Sequence, residues 1–288
     1  MRRHAGNAGS LADGVMLTGK AMLAGVAGWP VAHSRSPLLH GTWIARHGLD
    51  AAYVPLAIRP ENFANAMRGL RDAGFRGCHV TIPHKEAAFA ICDEVLPRAH
   101  RAGAVNTLIF RDGRIIGDCT DGFGFLASLP GFDATSGPAV LLGAGGAARA
   151  IAAALLDAGC PKLTLVNRTP ERAEALARAL GGSIAVSATP PLEEAALLVN
   201  TTSLGMAGQP PLAMDLCPLP AHALVADIVY VPLETPLLAA ARARGLVGVD
   251  GLGMLLHQAR PGFEAWFGIA PVVDEELRRI VAADIPAR

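Results

Sequence analysis

Ala139-Val-Leu-Leu-Gly143-Ala144-Gly145-Gly146-Ala147-Ala148-Arg149 is the stretch whose reading decides the fold. Four apolar residues run straight into a glycine turn, and an alanine-rich helical pattern begins with no spacer. Glycines let a backbone turn tightly and approach a diphosphate with no Cβ in the way. The helix that follows offers unpaired N–H groups and the positive end of its dipole. Ala148 stands where the third glycine of the dinucleotide-binding fingerprint falls, a replacement the fingerprint accepts. Gly143, Ala144, Gly145, Gly146 and Ala147 are therefore candidate cofactor-binding residues. A bare strand-to-helix connection is the other reading of the same glycines.

The next strand weighs on that choice. It spans 163–166 and ends in Asn167-Arg168-Thr169. An NAD enzyme carries an acid about twenty residues after the glycines, to accept from the ribose hydroxyls. Here there is none. Arg168 brings a planar cation suited to a 2′-phosphate, and Arg172 follows one helical turn later. Two solvated arginines are the plain alternative. With the glycine turn beside them, Asn167, Arg168, Thr169 and Arg172 point to NADP. Beyond them, Asn200-Thr-Thr-Ser-Leu-Gly-Met206 follows an expected strand over 197–200, and its hydroxyls serve either the cofactor side or the turn itself.

Outward from this centre, short apolar runs alternate with amphipathic helical stretches. Upstream, strands are expected over 21–27, 52–56 and 77–81, and helices over 37–47, 61–73 and 84–95. Downstream, helices are expected over 147–158 and 170–180, a strand over 224–229, and helix again after Gly251. Alternation of this kind implies βαβ units and mostly parallel sheets, hence an α/β fold. The run 129–138, with two prolines and two glycines, is the best linker. The expected division is a domain over 21–128, completed by C-terminal helices over 252–288, and a nucleotide-binding Rossmann domain over 129–251. Residues 1–20 read as a loose lead-in.

Composition narrows the function classes. The chain has 288 residues, 51% hydrophobic and 17% charged, which suits a sizeable core rather than disorder. Lys plus Arg and Asp plus Glu are 25 each, a balance with no footprint for nucleic acid or an acidic membrane. Five cysteines without a C-x-x-C pair read as reduced thiols in a cytoplasmic protein. Arg2 and Arg3 are not followed by a clean apolar segment, since Asp13 and Lys20 interrupt it. Cys78, His79, His84 and Cys119 fit no zinc ligand spacing, so no metal is expected.

Three segments of the first half carry chemistry. In Gly28-Trp-Pro-Val-Ala-His33-Ser34-Arg35-Ser36-Pro37, Ser36 before Pro37 suits a helix N-cap. Ser34 has no such duty, and two hydroxyls spaced by two in an extended loop suit a carboxylate. In Gly77-Cys-His79-Val-Thr81-Ile-Pro83-His84-Lys85, the lysine falls in the first turn of a helix. The positive end of the dipole disfavours its charge, an effect expected to lower its pKa toward the range of proton transfer. The third segment pairs Gly103-Ala-Val-Asn106-Thr107 with Gly117-Asp-Cys119-Thr120-Asp121-Gly122. Asp121 either caps the next helix or faces Lys85. His33, His40 and His84 read as packing or surface residues.

Taken in order, these segments resemble the shikimate dehydrogenase family, from about Leu23 to Phe267. The likeness continues through Asp227-Ile228-Val-Tyr230 and Gly251-Leu-Gly253-Met254 with Gln258. It implies reversible reduction of 3-dehydroshikimate to shikimate by NADPH, as a monomer or homodimer, in a cleft between the two domains. By that resemblance Ser34, Ser36 and Tyr230 would hold the substrate carboxylate. Thr81, Lys85, Asn106, Asp121 and Gln258 would hold the ring oxygens, with Lys85 and Asp121 catalytic. Ile228 and Gly251 would line the nicotinamide end. Two positions depart from the family pattern, His79 and Cys119, each standing where the family has Asn. His79 is expected to keep one substrate contact, and Cys119 to make room for it. A dehydrogenase of quinate or a related cyclic polyol acid, or a catalytically silent NADP-binding regulator, are the competing functions.

Overall fold

The computed structural model describes residues 17–286. Its first half is built from β1 (Met22–Gly28), α1 (Ser36–Arg46), β2 (Ala51–Ala57), α2 (Phe63–Asp72), β3 (Gly77–Val80), α3 (Lys85–Ile91), β4 (Glu94–Val95), α4 (Pro97–Ala102), β5 (Thr107–Arg111) and β6 (Arg114–Asp118). They form a six-stranded sheet in the order β2-β1-β3-β5-β6-β4. β1 runs parallel to β2 and β3, whereas β5 runs antiparallel to both β3 and β6. The sheet is mostly parallel, as expected, and β5 alone runs the other way. The cause is local: Asp112 and Gly113 both take positive φ and fold the chain back as a two-residue hairpin. The helix expected over 84–95 also stops early, at Ile91, because Glu94 and Val95 pair with β6 as a short strand.

The helix α5 (Asp121–Ser128) leads into the second half. There follow β7 (Ala139–Leu142), α6 (Gly146–Asp157), β8 (Leu163–Val166), α7 (Pro170–Leu180), β9 (Ile184–Ser187), β10 (Leu197–Asn200), β11 (Leu224–Asp227), α8 (Pro236–Ala243) and β12 (Val247–Val249). This sheet is parallel throughout, in the order β12-β11-β10-β7-β8-β9. Strand order reverses between β7 and β10, the crevice where ligands of open α/β sheets bind. β7 and β10 are buried at every residue, which is why they read as unbroken apolar runs.

The last two helices, α9 (Gly251–Phe267) and α10 (Glu275–Ala283), return to the first sheet. Leu252, Leu256, Phe263 and Trp266 share one core cluster with Ala24, Val26, Leu39 and Trp43. Trp266 Nε1 donates to Leu108 O at 3.0 Å, closing the indole's only polar group. A Cβ at Gly77 would strike both that indole and the Leu108 carbonyl, so this strand position admits only glycine. Truncating Phe263 or Trp266 would cost about 3–5 kcal/mol, which is the scale on which α9 is fixed to the first sheet. That anchoring delivers Gln258 to the end of β3 and β5. All five cysteines are free thiols, and among the described residues no helix is long and apolar enough to cross a membrane.

Candidate active site

Lys85 is the first residue of α3, and Asp121 the first of α5. The two side chains form an ion pair, Lys85 Nζ donating to Asp121 Oδ2. Asn106 Nδ2 donates to the other carboxylate oxygen, Oδ1, at 2.8 Å. The same amide nitrogen lies 3.2 Å from Gln258 Oε1 and 3.1 Å from Thr120 Oγ1. Asn106 Oδ1 accepts from Thr120 N at 2.8 Å and from Thr107 Oγ1 at 2.9 Å, which fixes which way the amide points. Asn106, Thr120 and Gln258 are buried, while the Lys85 side chain keeps 25% of its surface open. The cluster is a closed polar floor with one ammonium reaching out of it.

The expected lowering of Lys85 is corrected. Burial does pull the ammonium down, but the charge and hydrogen bond of Asp121 outweigh it, and the net shift is upward. A helix end carries about half an elementary charge, whereas Asp121 carries a full one in contact. Nor does Asp121 cap α5. The N-cap position is Thr120, with no side-chain cap bond, and the carboxylate is spent on Lys85 and Asn106.

Ser36 also sits one position inside its helix rather than at the cap, which is Arg35. Its amide donates to Ser34 Oγ at 3.3 Å, so the two serines form one turn. Arg35 between them is tied to Asp284 and to the His33 carbonyl. Tyr230 packs at the edge of the α9 cluster, its hydroxyl pushed up by burial and drawn the other way by Arg35. Thr81 closes β3 beside Gly28, where a Cβ would stand 2.5 Å from its methyl group.

His79 is buried beside the floor. Its Nδ1 pairs with the Tyr53 hydroxyl at 2.8 Å, and its Nε2 is buried without a partner. A Cβ at Gly262 of α9 would stand 2.9 Å from that Nε2. The ring packs among His40, Tyr53 and Trp266. Burial drops its pKa to about 3, with Asp121 pulling up and Lys85 pulling down. Cys119 belongs to the other side of β3, with Cys78, Val80 and Val105. It makes no room for His79. The exchange of a large side chain for a small one across the site is not what the fold builds.

In the second half, β7 ends at the glycine turn. Gly143 has φ +114°, and a Cβ there would stand 2.5 Å from Thr201 Oγ1, so only glycine fits. Gly145 caps α6, and a Cβ at Gly145 or Gly146 would meet nothing within 4 Å. The backbone is thus bare toward open space, as a close-lying diphosphate requires. Asn167 Nδ2 donates to Thr169 O at 2.8 Å and shapes the turn that exposes Arg168. Thr201 and Thr202 spend their hydroxyls on Leu142 O and Asn200 Oδ1, the turn-forming reading of that loop. A Cβ at Gly251 would strike Ile228 O, which places these two backbones in contact.

One cleft of about 530 Å³ joins the halves. It is lined by Lys85, Ile82, Gly103, Ala144, Gly145, Gly146, Arg149 and Arg172, among others. Arg168 lies outside that lining. Sequence reasoning passed over Tyr53, Thr120 and Arg149. The signal for Arg149 was present: a lone cation within an alanine-rich helix start.

Residues 26–108 match the family model described as the shikimate dehydrogenase substrate binding domain, and residues 129–203 the one described as shikimate / quinate 5-dehydrogenase. The shikimate dehydrogenase (NADP(+)) of Acidiphilium cryptum is 63% identical over 277 residues, covering 94% of this chain and 99% of that protein. The chain belongs to the shikimate dehydrogenase family. A second member of the family, from Rhodospirillum rubrum, is 62% identical over 279 residues, covering 92% of this chain and 99% of that protein. Among solved shikimate dehydrogenases, the Thermus thermophilus enzyme in complex with NADP(H) and shikimate superposes with a TM-score of 0.81 at 38% identity. The match covers 92% of this chain and all of that one.

Proposed function

We propose that this chain catalyses the reversible, NADPH-dependent reduction of 3-dehydroshikimate to shikimate. The observation that carries the proposal is that Lys85, paired with Asp121, lines the same cleft as the bare glycine turn. The relatives' shared activity supports it further.

Bound NADPH supplies the hydride, delivered to the substrate's carbonyl carbon. Lys85 gives its proton to the carbonyl oxygen as that oxygen gains charge, and in the reverse direction takes it back. Asp121 keeps the lysine protonated and aimed, and Asn106 keeps Asp121 aimed. Thr81, Asn106 and Gln258 hold ring oxygens with Lys85 and Asp121, and Ser34, Ser36 and Tyr230 hold the carboxylate. Gly143, Ala144, Gly145, Gly146 and Ala147 take the diphosphate. Asn167, Arg168, Thr169 and Arg172 take the adenosine 2′-phosphate, and Ile228 with Gly251 border the nicotinamide. Residues 21–128 with 252–288 form the substrate-binding domain and 129–251 the nucleotide domain. The protein works in the cytoplasm, as a monomer or homodimer.

Purified protein is assayed with NADP or NAD against shikimate and quinate, beside Lys85→Ala. Turnover of shikimate with NADP, lost in Lys85→Ala, is expected. No turnover of either acid while NADP still binds would refute the enzyme reading.

A further inference from the structure

We propose that Arg149 is a positioning residue for this reaction, holding the 103–106 segment, and through it Asn106 and Asp121, in register with the glycine turn. The proposal rests on the function inferred above and adds to it a residue that acts through others.

The helix α6 starts at the glycine turn and touches the first half at three places along its length. Arg149 lies on Gly103, Ala150 and Ala154 lie on Gly122, and Asp157 meets Arg101 at 3.3 Å. Two of these contacts flank the acid–base group. Gly103 is three residues before Asn106, and Gly122 directly follows Asp121. A Cβ at Gly122 would stand 2.5 Å from Ala150 O, so that contact is backbone on backbone. The helix that receives the dinucleotide at one end therefore bears on both segments that build the Lys85 floor.

The Arg149 contact is the adjustable one. A Cβ at Gly103 would stand 2.8 Å from the guanidinium Cζ and Nη2 and 2.9 Å from Nε. Gly103 closes α4 with φ +60°, and the chain then runs straight into the site. Val105 N donates to Lys85 O at 3.2 Å, Asn106 N to Asp118 O at 3.0 Å, and Val80 N to Asn106 O at 2.7 Å. A displacement at Gly103 is thus passed to the backbone of Lys85 and to the amide that holds Asp121. Arg149 Nε is buried with no hydrogen-bond partner, and the side chain lines the cleft beside Lys85. A planar guanidinium has a flat face to lay on a bare glycine.

The test uses the intact enzyme with Arg149→Met, Arg149→Lys, Gly103→Ala and the double variant Gly103→Ala/Arg149→Met. Arg178→Met, on the exposed face of α7, is the control. Turnover, KM for shikimate and NADP, and the NADPH dissociation constant by fluorescence are measured well below each melting temperature. Arg149→Met is expected to lose about tenfold or more in kcat, with NADPH dissociation changed by less than about threefold, as misplacement without lost binding requires. Arg149→Lys should recover part of the loss, which a generally damaged fold would not. Gly103→Ala should lose kcat as well, partly through backbone strain at φ +60°, and the double variant should fall short of the sum of the two losses, because both disturb one contact. Unchanged kcat in Arg149→Met would overturn the proposal. So would a loss seen wholly as weaker NADPH binding, which would make Arg149 a phosphate ligand only, or strict additivity in the double variant. A wild-type protein that turns over neither acid would instead remove the functional reading, and this proposal with it.

Discussion

Asp121 holds Lys85 with one carboxylate oxygen and Asn106 with the other. Because the amide of Asn106 is itself fixed by Thr107 and Thr120, the carboxylate cannot turn away from the lysine without breaking several buried hydrogen bonds. The ammonium is thus set in place by a chain of contacts that ends in backbone.

That arrangement fixes the sign of a pH effect. Burial alone would lower Lys85, and Asp121 reverses it to a net rise. A raised lysine keeps its proton through neutral pH, and its stabilising pairing is lost only as pH climbs through the folded value. With Lys85 as the proposed acid, ketone reduction should therefore be flat across neutral pH and fall only on an alkaline limb. Asp121→Asn removes the upward pull but leaves the burial. The alkaline limb should then move down by about one pH unit or more. The profile of kcat/KM against pH in the reductive direction reads this directly, and an unmoved limb would exclude Lys85 as the titrating acid.

Cofactor choice should rest on two exposed cations. Arg168 and Arg172 are both at the surface at the end of β8 and the start of α7, with no acid at the position where an NAD enzyme carries one. Charge-assisted bonds to a phosphate contribute roughly 1.5–3 kcal/mol each. Replacing both arginines by alanine should raise KM for NADP by about two orders of magnitude and leave KM for NAD within about threefold. Equal losses with the two cofactors would assign the arginines to packing instead.

The parts of this molecule that could be read in advance are those whose cause lies close by in the chain. The glycine turn, β8, α7 and β10 begin and end where their own residues say, because buried parallel strands are unbroken apolar runs and the turn must be glycine. β4 was invisible, since Glu94 and Val95 are a strand only by virtue of β6 beside them. In the site, Lys85 and Asp121 were legible as residue types. The direction of the lysine's shift was not, because a contact 36 residues away outweighs the helix end it sits on. The packing of His79 was hidden for the same reason. Its surroundings come from α1, β2 and α9, and no local pattern announces that its ring turns to Gly262.

His79 makes the fold sensitive to acid. Its folded pKa is about 3, well below the ordinary value, and burial holds His40 down in the same way. Between about pH 6.5 and pH 3 the unfolded chain binds a proton at this position that the folded one refuses. Stability is therefore full above that window and falls through it, by about 1.4 kcal/mol per pH unit for His79. His79→Asn gives up the Tyr53 bond and some packing, so it starts less stable at pH 8. Its denaturant-derived stability should nevertheless decline less steeply between pH 6 and pH 4, by about one proton. An equal slope in both proteins would mean that His79 is protonated in the folded state.

Arg35 gives the loop of Ser34 and Ser36, the proposed carboxylate holders, an anchor at Asp284. Its Nε pairs with Asp284 Oδ2 at 2.6 Å, its Nη2 donates to Asp284 O at 2.8 Å, and its Nη1 to His33 O at 3.0 Å. The guanidinium thereby spans the turn that carries Ser34 and Ser36 and clamps it to the end of α10. Asp284 is half exposed, so as a stabilising pair the contact contributes at most about 1 kcal/mol. Its effect should appear in substrate binding instead, because hydroxyls that wander relative to Tyr230 hold a carboxylate poorly. Asp284→Ala should raise KM for shikimate by about three- to tenfold, a loss on the scale of one charge-assisted bond, while KM for NADP stays put. Arg35→Met, which frees the His33 carbonyl as well, should raise it further. If both variants instead lowered kcat with either substrate saturating and left KM for shikimate alone, the loop would not owe its position to this clamp.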